Sequence, residues 1–280
     1  MISCVLMGGL GNQLFQIFAT IAYALENNKP FGFIYTEHLG GVGQTIKRKT
    51  YWESFLLSLK KFTHKTLPQM PVQKEKGFEY SKLDPVGEIN DLMLFGYFQS
   101  YKYFESYFQT ICRLIKLDRI KLEVMRNYSC DCNHISMHFR LGDYKDLADY
   151  HPVLDYNYYE KALEFVVSST DKREVLYFCE EDDNDDVQKI IKNLKIQFLD
   201  VTFIKASDSL NDWEQMIVMS CCKYNIIANS SFSWWAAFLN QIPDKKVFYP
   251  EKWFGVKNEH LNTKDMFPDD WHKVEISKQV

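Results

Sequence analysis

The chain of 280 residues is 46% hydrophobic, 25% charged and 16% aromatic, with a formal net charge of −4. That much apolar material builds a packed core and excludes a disordered, collagen-like or coiled-coil chain, while the length fits two domains or one large α/β unit. The acidic balance argues against a nucleic-acid partner, and no stretch reaches the roughly 18 apolar residues of a transmembrane segment.

In chain order, the apolar start before Gly8 has no basic leader and no cleavage site, so it reads as a buried strand over residues 2–7 rather than a secretory signal. A cytoplasmic location is the expectation, with peripheral membrane contact left open. The seven cysteines (Cys4, Cys112, Cys130, Cys132, Cys179, Cys221 and Cys222) are odd in number, scattered and free of C-x-x-C spacing, which points to reduced thiols and no zinc site. After Gly8-Gly9-Leu10-Gly11 a helix is expected over residues 12–28. Leu14, Phe18, Ile21, Ala22 and Leu25 lie on one face, with Asn12 as N-cap and Pro30 just beyond the end. A strand over 31–36 follows. Residues 40–85 show no periodicity that assigns an element, 91–98 reads as a strand, and 105–117 as a helix.

From residue 133 strands and helices alternate. Strands are expected at 134–139, 174–179, 197–204, 224–228 and 246–249, and helices at 157–168, 186–194, 210–222 and 233–240. Such alternation predicts a parallel sheet with both faces covered, so the second half is Rossmann-like and the first half a looser α/β unit. Ligands of such sheets bind at the carboxyl ends of strands, which places functional residues just after positions 7, 138, 179 and 228.

Four stretches at those places carry candidate chemistry. Gly8-Gly9-Leu10-Gly11-Asn12-Gln13 permits close approach of a ligand to the backbone at a helix start, although a plain strand–helix turn uses the same residues. A dinucleotide fingerprint needs glycine where Leu14 stands, which disfavours a nicotinamide-dependent oxidoreductase. His138-Phe139-Arg140-Leu141-Gly142-Asp143 offers a guanidinium fork for phosphate, with Asp143 either orienting that fork or accepting a proton; a core histidine and a structural ion pair are the simpler alternatives. Asn229-Ser230-Ser231-Phe232-Ser233 runs from a buried strand into a helix. There, N–H groups and hydroxyls converge on an anion or serve as an ordinary serine cap. The acidic run over residues 180–186 contains Asp183-x-Asp185, which suits either a hard cation or a solvated helix start.

Together, Gly8-Gly-Leu-Gly-Asn-Gln-Leu-Phe-Gln16, Gly96-Tyr-Phe-Gln-Ser-Tyr-Lys-Tyr-Phe104, the stretch His138 to Tyr144 and the stretch Met219 to Asn240 resemble the family 11 glycosyltransferases, the α-1,2-fucosyltransferases. The resemblance implies an α/β, GT-B-like fold of two facing Rossmann-type domains: residues 1–130 on the acceptor side, and residues 131–280 binding GDP-L-fucose. It implies inverting transfer of L-fucose to the 2-hydroxyl of a terminal galactoside of a glycan, with no obligatory metal and no cofactor beyond the donor. Arg140 matches the arginine that holds the donor β-phosphate, with Asp143 and Asn12 as further catalytic candidates. Gly9, Gly11, Gln13, His138, Glu214, Asn229, Ser230, Ser231, Phe232 and Ser233 are the substrate-binding candidates, with Glu214 or Asp212 standing in for the acidic residue that reads guanine. Leu141 departs from the pattern, since many relatives carry a second arginine there. A binding-only relative and a metal-dependent nucleotide-sugar enzyme are the alternatives.

Overall fold

The computed structural model describes residues 1–40, 47–87, 90–128 and 134–276. It divides into two α/β units: residues 1–122 with 261–268, and residues 123–260 with 269–280.

In the first unit the opening apolar run forms β1 (Ile2–Cys4), β2 (Phe33–Ile34) follows α1 (Leu10–Glu26), and β3 (His38–Leu39) pairs antiparallel with β4 (Arg48–Lys49). Next come β5 (Thr63–His64), β6 (Val72–Lys74) and β7 (Leu92–Phe95), then α2 (Phe108–Ile115) and α3 (Leu117–Asn127). A parallel sheet runs β1-β7-β6, and a bridge from Ile2 to Phe31 leads on toward the parallel pair β2-β5. The first strand stops at Cys4 rather than residue 7, because Met7 turns to bond the side chain of Gln16. Helix α1 starts at Leu10 with Gly9 as its cap, so Asn12 lies inside the helix and is not the N-cap. It is buried without a break from Gln13 to Ala24, more than one amphipathic face requires, and Phe15 and Phe18 pack on Phe104 and Phe108. Within residues 47–85 the ordered elements are two- and three-residue strands and a 3-10 turn over Leu57–Phe62, too short for periodicity to register. The sequence reading of 41–46 lies outside the described residues.

The second unit contains β8 (Ile135–His138), α4 (Tyr156–Ser169), β9 (Glu174–Phe178), α5 (Asn184–Gln197), β10 (Thr202–Lys205) and α6 (Asp212–Met219). It ends with β11 (Tyr224–Ile226), α7 (Ser231–Phe238), β12 (Lys246–Pro250) and β13 (His272–Val274). Every pairing is parallel, in the order β10-β9-β8-β11-β12-β13. This is the doubly wound order, with the chain moving outward from β8 and then returning to start β11 on its other side. The hydrophobic core lies between the sheet and the covering α4 and α5, with Ile135, Met137, Tyr158, Leu163, Val175 and Ile191 fully or almost fully buried.

The division between units falls within α3 rather than after residue 130, and residues 261–268 belong with the first unit. The physical anchor is Asp265. Its carboxylate pairs with Lys102 and accepts from the N–H of Tyr80 at 3.2 Å, its carbonyl accepts from the Ser100 hydroxyl, and Met266 is buried beside it. No local signal in the sequence announces such a return. The described cysteines, Cys4, Cys112, Cys179, Cys221 and Cys222, are free and buried, and burial pushes the Cys4 and Cys112 thiols up to about 12. Cys130 and Cys132 lie outside the described residues. No helix among the described residues is long and apolar enough to cross a membrane.

Replacing Asp265 by alanine removes the acceptor of the Tyr80 N–H and a carboxylate partner of Lys102. The expected loss is about 1–3 kcal/mol of stability, read as a lower urea midpoint. An unchanged midpoint would mean that residues 261–268 are not anchored through this side chain.

Candidate active site

In a doubly wound sheet the two connections at the reversal of strand order diverge to opposite faces, and the gap at the carboxyl ends of the two strands is the ligand crevice. Here those strands are β8 and β11, so the crevice is bounded by residues 139–144 and 227–233.

Alternation along β8 decides which side chains face it. Ile135, Met137, Phe139 and Leu141 all enter the core, whereas Ser136, His138 and Arg140 point the other way. Leu141 is thus a core residue, 4% exposed, and its apolar side chain does not lie where an arginine would serve phosphate. The Arg140 guanidinium forms ion pairs with Asp143 and Glu180, and its central carbon lies 5.2 Å from the Tyr144 ring centre. Burial by itself lowers the arginine pKa, but Glu180 and then Asp143 outweigh this and hold it above its ordinary value. Of the two roles read for Asp143, the geometry displays the orienting one.

His138 is buried against Phe232, with ring centres 5.4 Å apart, and its Nδ1 has no hydrogen-bond partner. Burial, reinforced by the charge on Arg140, brings its pKa down to about 3, so the ring is neutral near physiological pH. The Asn229 amide donates to the carbonyls of Pro152 at 2.9 Å and Trp253 at 3.2 Å, leaving its buried Oδ1 without a partner. Tyr144 donates its hydroxyl to the Asn229 carbonyl at 3.0 Å and stacks on His151, whose buried Nδ1 is likewise unpartnered. These buried atoms belong to β8 and to the segments that follow β8 and β11. Neither Tyr144 as a bridge to Asn229 nor His151 stands out in the sequence.

Ser230 is the N-cap of α7, its hydroxyl accepting from the Phe232 N–H at 3.3 Å. The Ser233 hydroxyl is buried and donates to the carbonyls of Ala228 and Ser230 at 3.3 and 3.4 Å. Of the two readings of this turn, these bonds display the serine cap. The hydroxyls of Ser230 and Ser233 serve the turn, while Ser231 and Phe232 are half-buried at the helix start.

The acidic run is not merely a solvated loop. Asp183 is buried, its carboxylate accepting from the Gly142 N–H at 2.7 Å and pairing with Lys145 at 2.9 Å. Lys145 also reaches Asp186 at 2.9 Å. Among the described residues no group of three or more His, Cys, Asp or Glu is arranged to hold a metal ion. Glu214 closes a capping box with Asn211 at the start of α6, accepting from that residue's backbone and side-chain nitrogens at 2.8 Å each. Helix capping accounts for its position, and the spacing Asn211-x-x-Glu214 was the signal for it.

In the first unit, Gly8 has φ +76°, and a Cβ there would lie 2.5 Å from the Asn12 amide nitrogen. Gln13 is fully buried, donating to the carbonyls of Gly8 at 3.0 Å and Lys49 at 2.9 Å, while its own Oε1 is unpartnered. The Asn12 side chain accepts from Gln99 at 2.8 Å. Gly9 thus caps α1 and Gly11 lies in its first turn, just after a loop that the helix itself fastens. Gln99 and Gln16, present in the quoted motifs, act in that fastening rather than in any role assigned to them beforehand.

Because His138 protonates in the unfolded chain near its ordinary pKa but in the folded chain only near 3, unfolding takes up a proton between those values. Stability is therefore expected to fall as pH drops from about 6.5 toward 4, by at most about 1.4 kcal/mol per pH unit from this residue. His138→Asn should flatten that slope in urea titrations, and an unchanged slope would refute the buried neutral ring. Leu141→Arg places a charge in the core and is expected to cost more than about 3 kcal/mol, whereas a gain in anion binding at unchanged stability would put residue 141 at the crevice.

The family described as Glycosyl transferase family 11 matches residues 45–275. The O-antigen biosynthesis glycosyltransferase WbnK of Escherichia coli is 32% identical over 186 residues, covering 63% of this chain and 60% of that protein. An alpha-1,2-colitosyltransferase of Escherichia coli is 27% identical over 292 aligned positions, covering 96% of this chain and 97% of the relative. Among solved structures, a FUT1 mutant of Arabidopsis thaliana in complex with GDP aligns over 85% of this chain and 68% of its own, at 11% identity and a TM-score of 0.45. With the match running through both units, including the β8 loop and the β11–α7 turn, the chain belongs to glycosyl transferase family 11.

Proposed function

We propose that the protein transfers L-fucose from GDP-β-L-fucose to the 2-hydroxyl of a terminal galactoside of a glycan, with inversion and without an obligatory metal. The observation that carries this reading is Arg140. It is a largely buried cation at the point where the strand order reverses, opposite the start of a helix that follows a second buried strand. A departing nucleoside diphosphate gains negative charge, and a fixed guanidinium with the N–H groups of the α7 start stabilises that charge as it forms. Family membership supports glycosyl transfer, and the relative named for α-1,2 transfer supports the linkage.

Within this reading Asp143 orients Arg140 rather than taking the acceptor proton, and His138 and Asn229 contact the donor at the same strand ends. The acceptor is assigned to the first unit, with Asn12 and the glycine loop as its contacts. The full-length similarity to a colitosyltransferase favours one second reading, in which the transferred sugar is colitose and the rest of the scheme is unchanged.

The test is release of GDP from GDP-L-fucose by the purified chain, with chelator present, across a panel of galactosides and without acceptor, and with the corresponding colitosyl donor in parallel. Acceptor-dependent release with chelator is the expected result. Release only after a divalent cation is restored would overturn metal independence, and donor binding without any release would make the protein a binding-only relative. Arg140→Ala is expected to lower kcat/KM by about 100-fold or more, as loss of one preorganised charge donor does. Near-normal turnover at saturating donor would remove Arg140 from the phosphate role.

A further inference from the structure

Arg140 carries more carboxylate than a cation awaiting an anion needs. Its guanidinium, with a side chain only 19% exposed, is paired both with Asp143 and with Glu180, 40 residues further on at the end of β9. A cation so placed is costly without compensation, which explains why some counter-charge is present. A diphosphate joining the same guanidinium while both carboxylates remain would put three anions around one cation, so it binds more tightly once one carboxylate has moved away. Asp143 is three residues away in the 3-10 turn Gly142–Lys145, and that turn is tied down twice: the Gly142 N–H and the Lys145 ammonium both bond the buried Asp183. Glu180 has a longer side chain, 56% exposed, with water directly available to it. A Cβ at residue 142 would lie 3.0 Å from the Glu180 carboxylate, so the glycine there leaves that carboxylate its place beside the loop.

We propose that Glu180 is a displaceable counter-ion: it holds Arg140 while no donor is bound and gives way to the diphosphate of an incoming nucleotide. The proposal rests on the reading of Arg140 as the donor's phosphate clamp. Asp183, pinning Gly142 and Lys145, keeps the loop in position when Glu180 swings out, so the exchange needs no movement of the backbone. Two neighbouring carboxylates of one acidic run thus do opposite work, one fastening the loop and one yielding its partner.

The experiment is calorimetric titration of the full chain, wild type and Glu180→Gln, with GDP, UDP and inorganic pyrophosphate. Removing the competing charge is expected to tighten binding of whichever diphosphate the wild type prefers by about three- to tenfold. Glu180→Asp, which keeps the charge, should stay closer to wild type. The thermal midpoint of ligand-free Glu180→Gln should fall while the rise produced by ligand grows, a pairing that a merely structural loss would not produce. Equal or weaker binding by Glu180→Gln would overturn the proposal. Preference for UDP over GDP together with tightening by Glu180→Gln would overturn the GDP-donor reading and leave the counter-ion in place. Absence of binding by both variants to all three ligands would overturn both.

Discussion

Side chains along β8 alternate between two very different surroundings, and the neighbouring strands allow no slip between them. Ile135, Met137, Phe139 and Leu141 are received by α4 and the core, while β9 on one side pairs with Ile135–His138 and β11 on the other with Ile135–Met137, both in parallel register. Two buried tyrosines of α4 add to this: Tyr159 donates to the His138 carbonyl at 3.2 Å, and Tyr158 donates to the Ile227 and Phe248 carbonyls. A shift of one residue would exchange Leu141 with Arg140 and put a guanidinium into the core. The register of one four-residue strand therefore places the cation at the crevice and, through β11, brings Asn229 and Ser230 to the same end.

Once Arg140 is there, the surrounding charges follow from the need to compensate it. Asp143 lies within the same turn, and Glu180 arrives from β9. Asp183 does not touch the guanidinium; it holds the turn from which Asp143 reaches Arg140 by taking the Gly142 N–H and the Lys145 ammonium. His138 stays neutral because it is buried and because a permanent cation lies beside it.

The loop after β1 is organised by amides instead of charges. Gln16 accepts from the Met7 N–H at 2.8 Å, and Gln13 donates to the Gly8 carbonyl, so the helix ties down the backbone that leads into it. That arrangement explains why α1 carries buried glutamines on an otherwise apolar helix. It also explains why Gly8, with its positive φ and its closeness to Asn12, tolerates no side chain.

The α/β class of the second unit and the order of its strands and helices are legible along the chain, because strand–helix alternation, apolar runs and glycine turns are local signals, whereas several element ends shift by two residues or more. Arg140, Asn229 and Ser230 were legible for the same reason: each follows a buried strand in a chain that reads as parallel α/β. Helix α1 starts at Leu10 rather than after an Asn12 cap, and Glu214, Ser230 and Ser233 brace helix starts, because the same residue types cap helices and bind anions. The pairing of distant groups, by contrast, comes from the packed chain. Glu180 reaches Arg140 across 40 residues, Asp183 reaches Gly142 across 41, and Asp265 returns to Lys102 across 163. No periodicity or spacing encodes such partners. They are set by which strands the sheet brings side by side, and by the cost of leaving a buried charge or N–H without one.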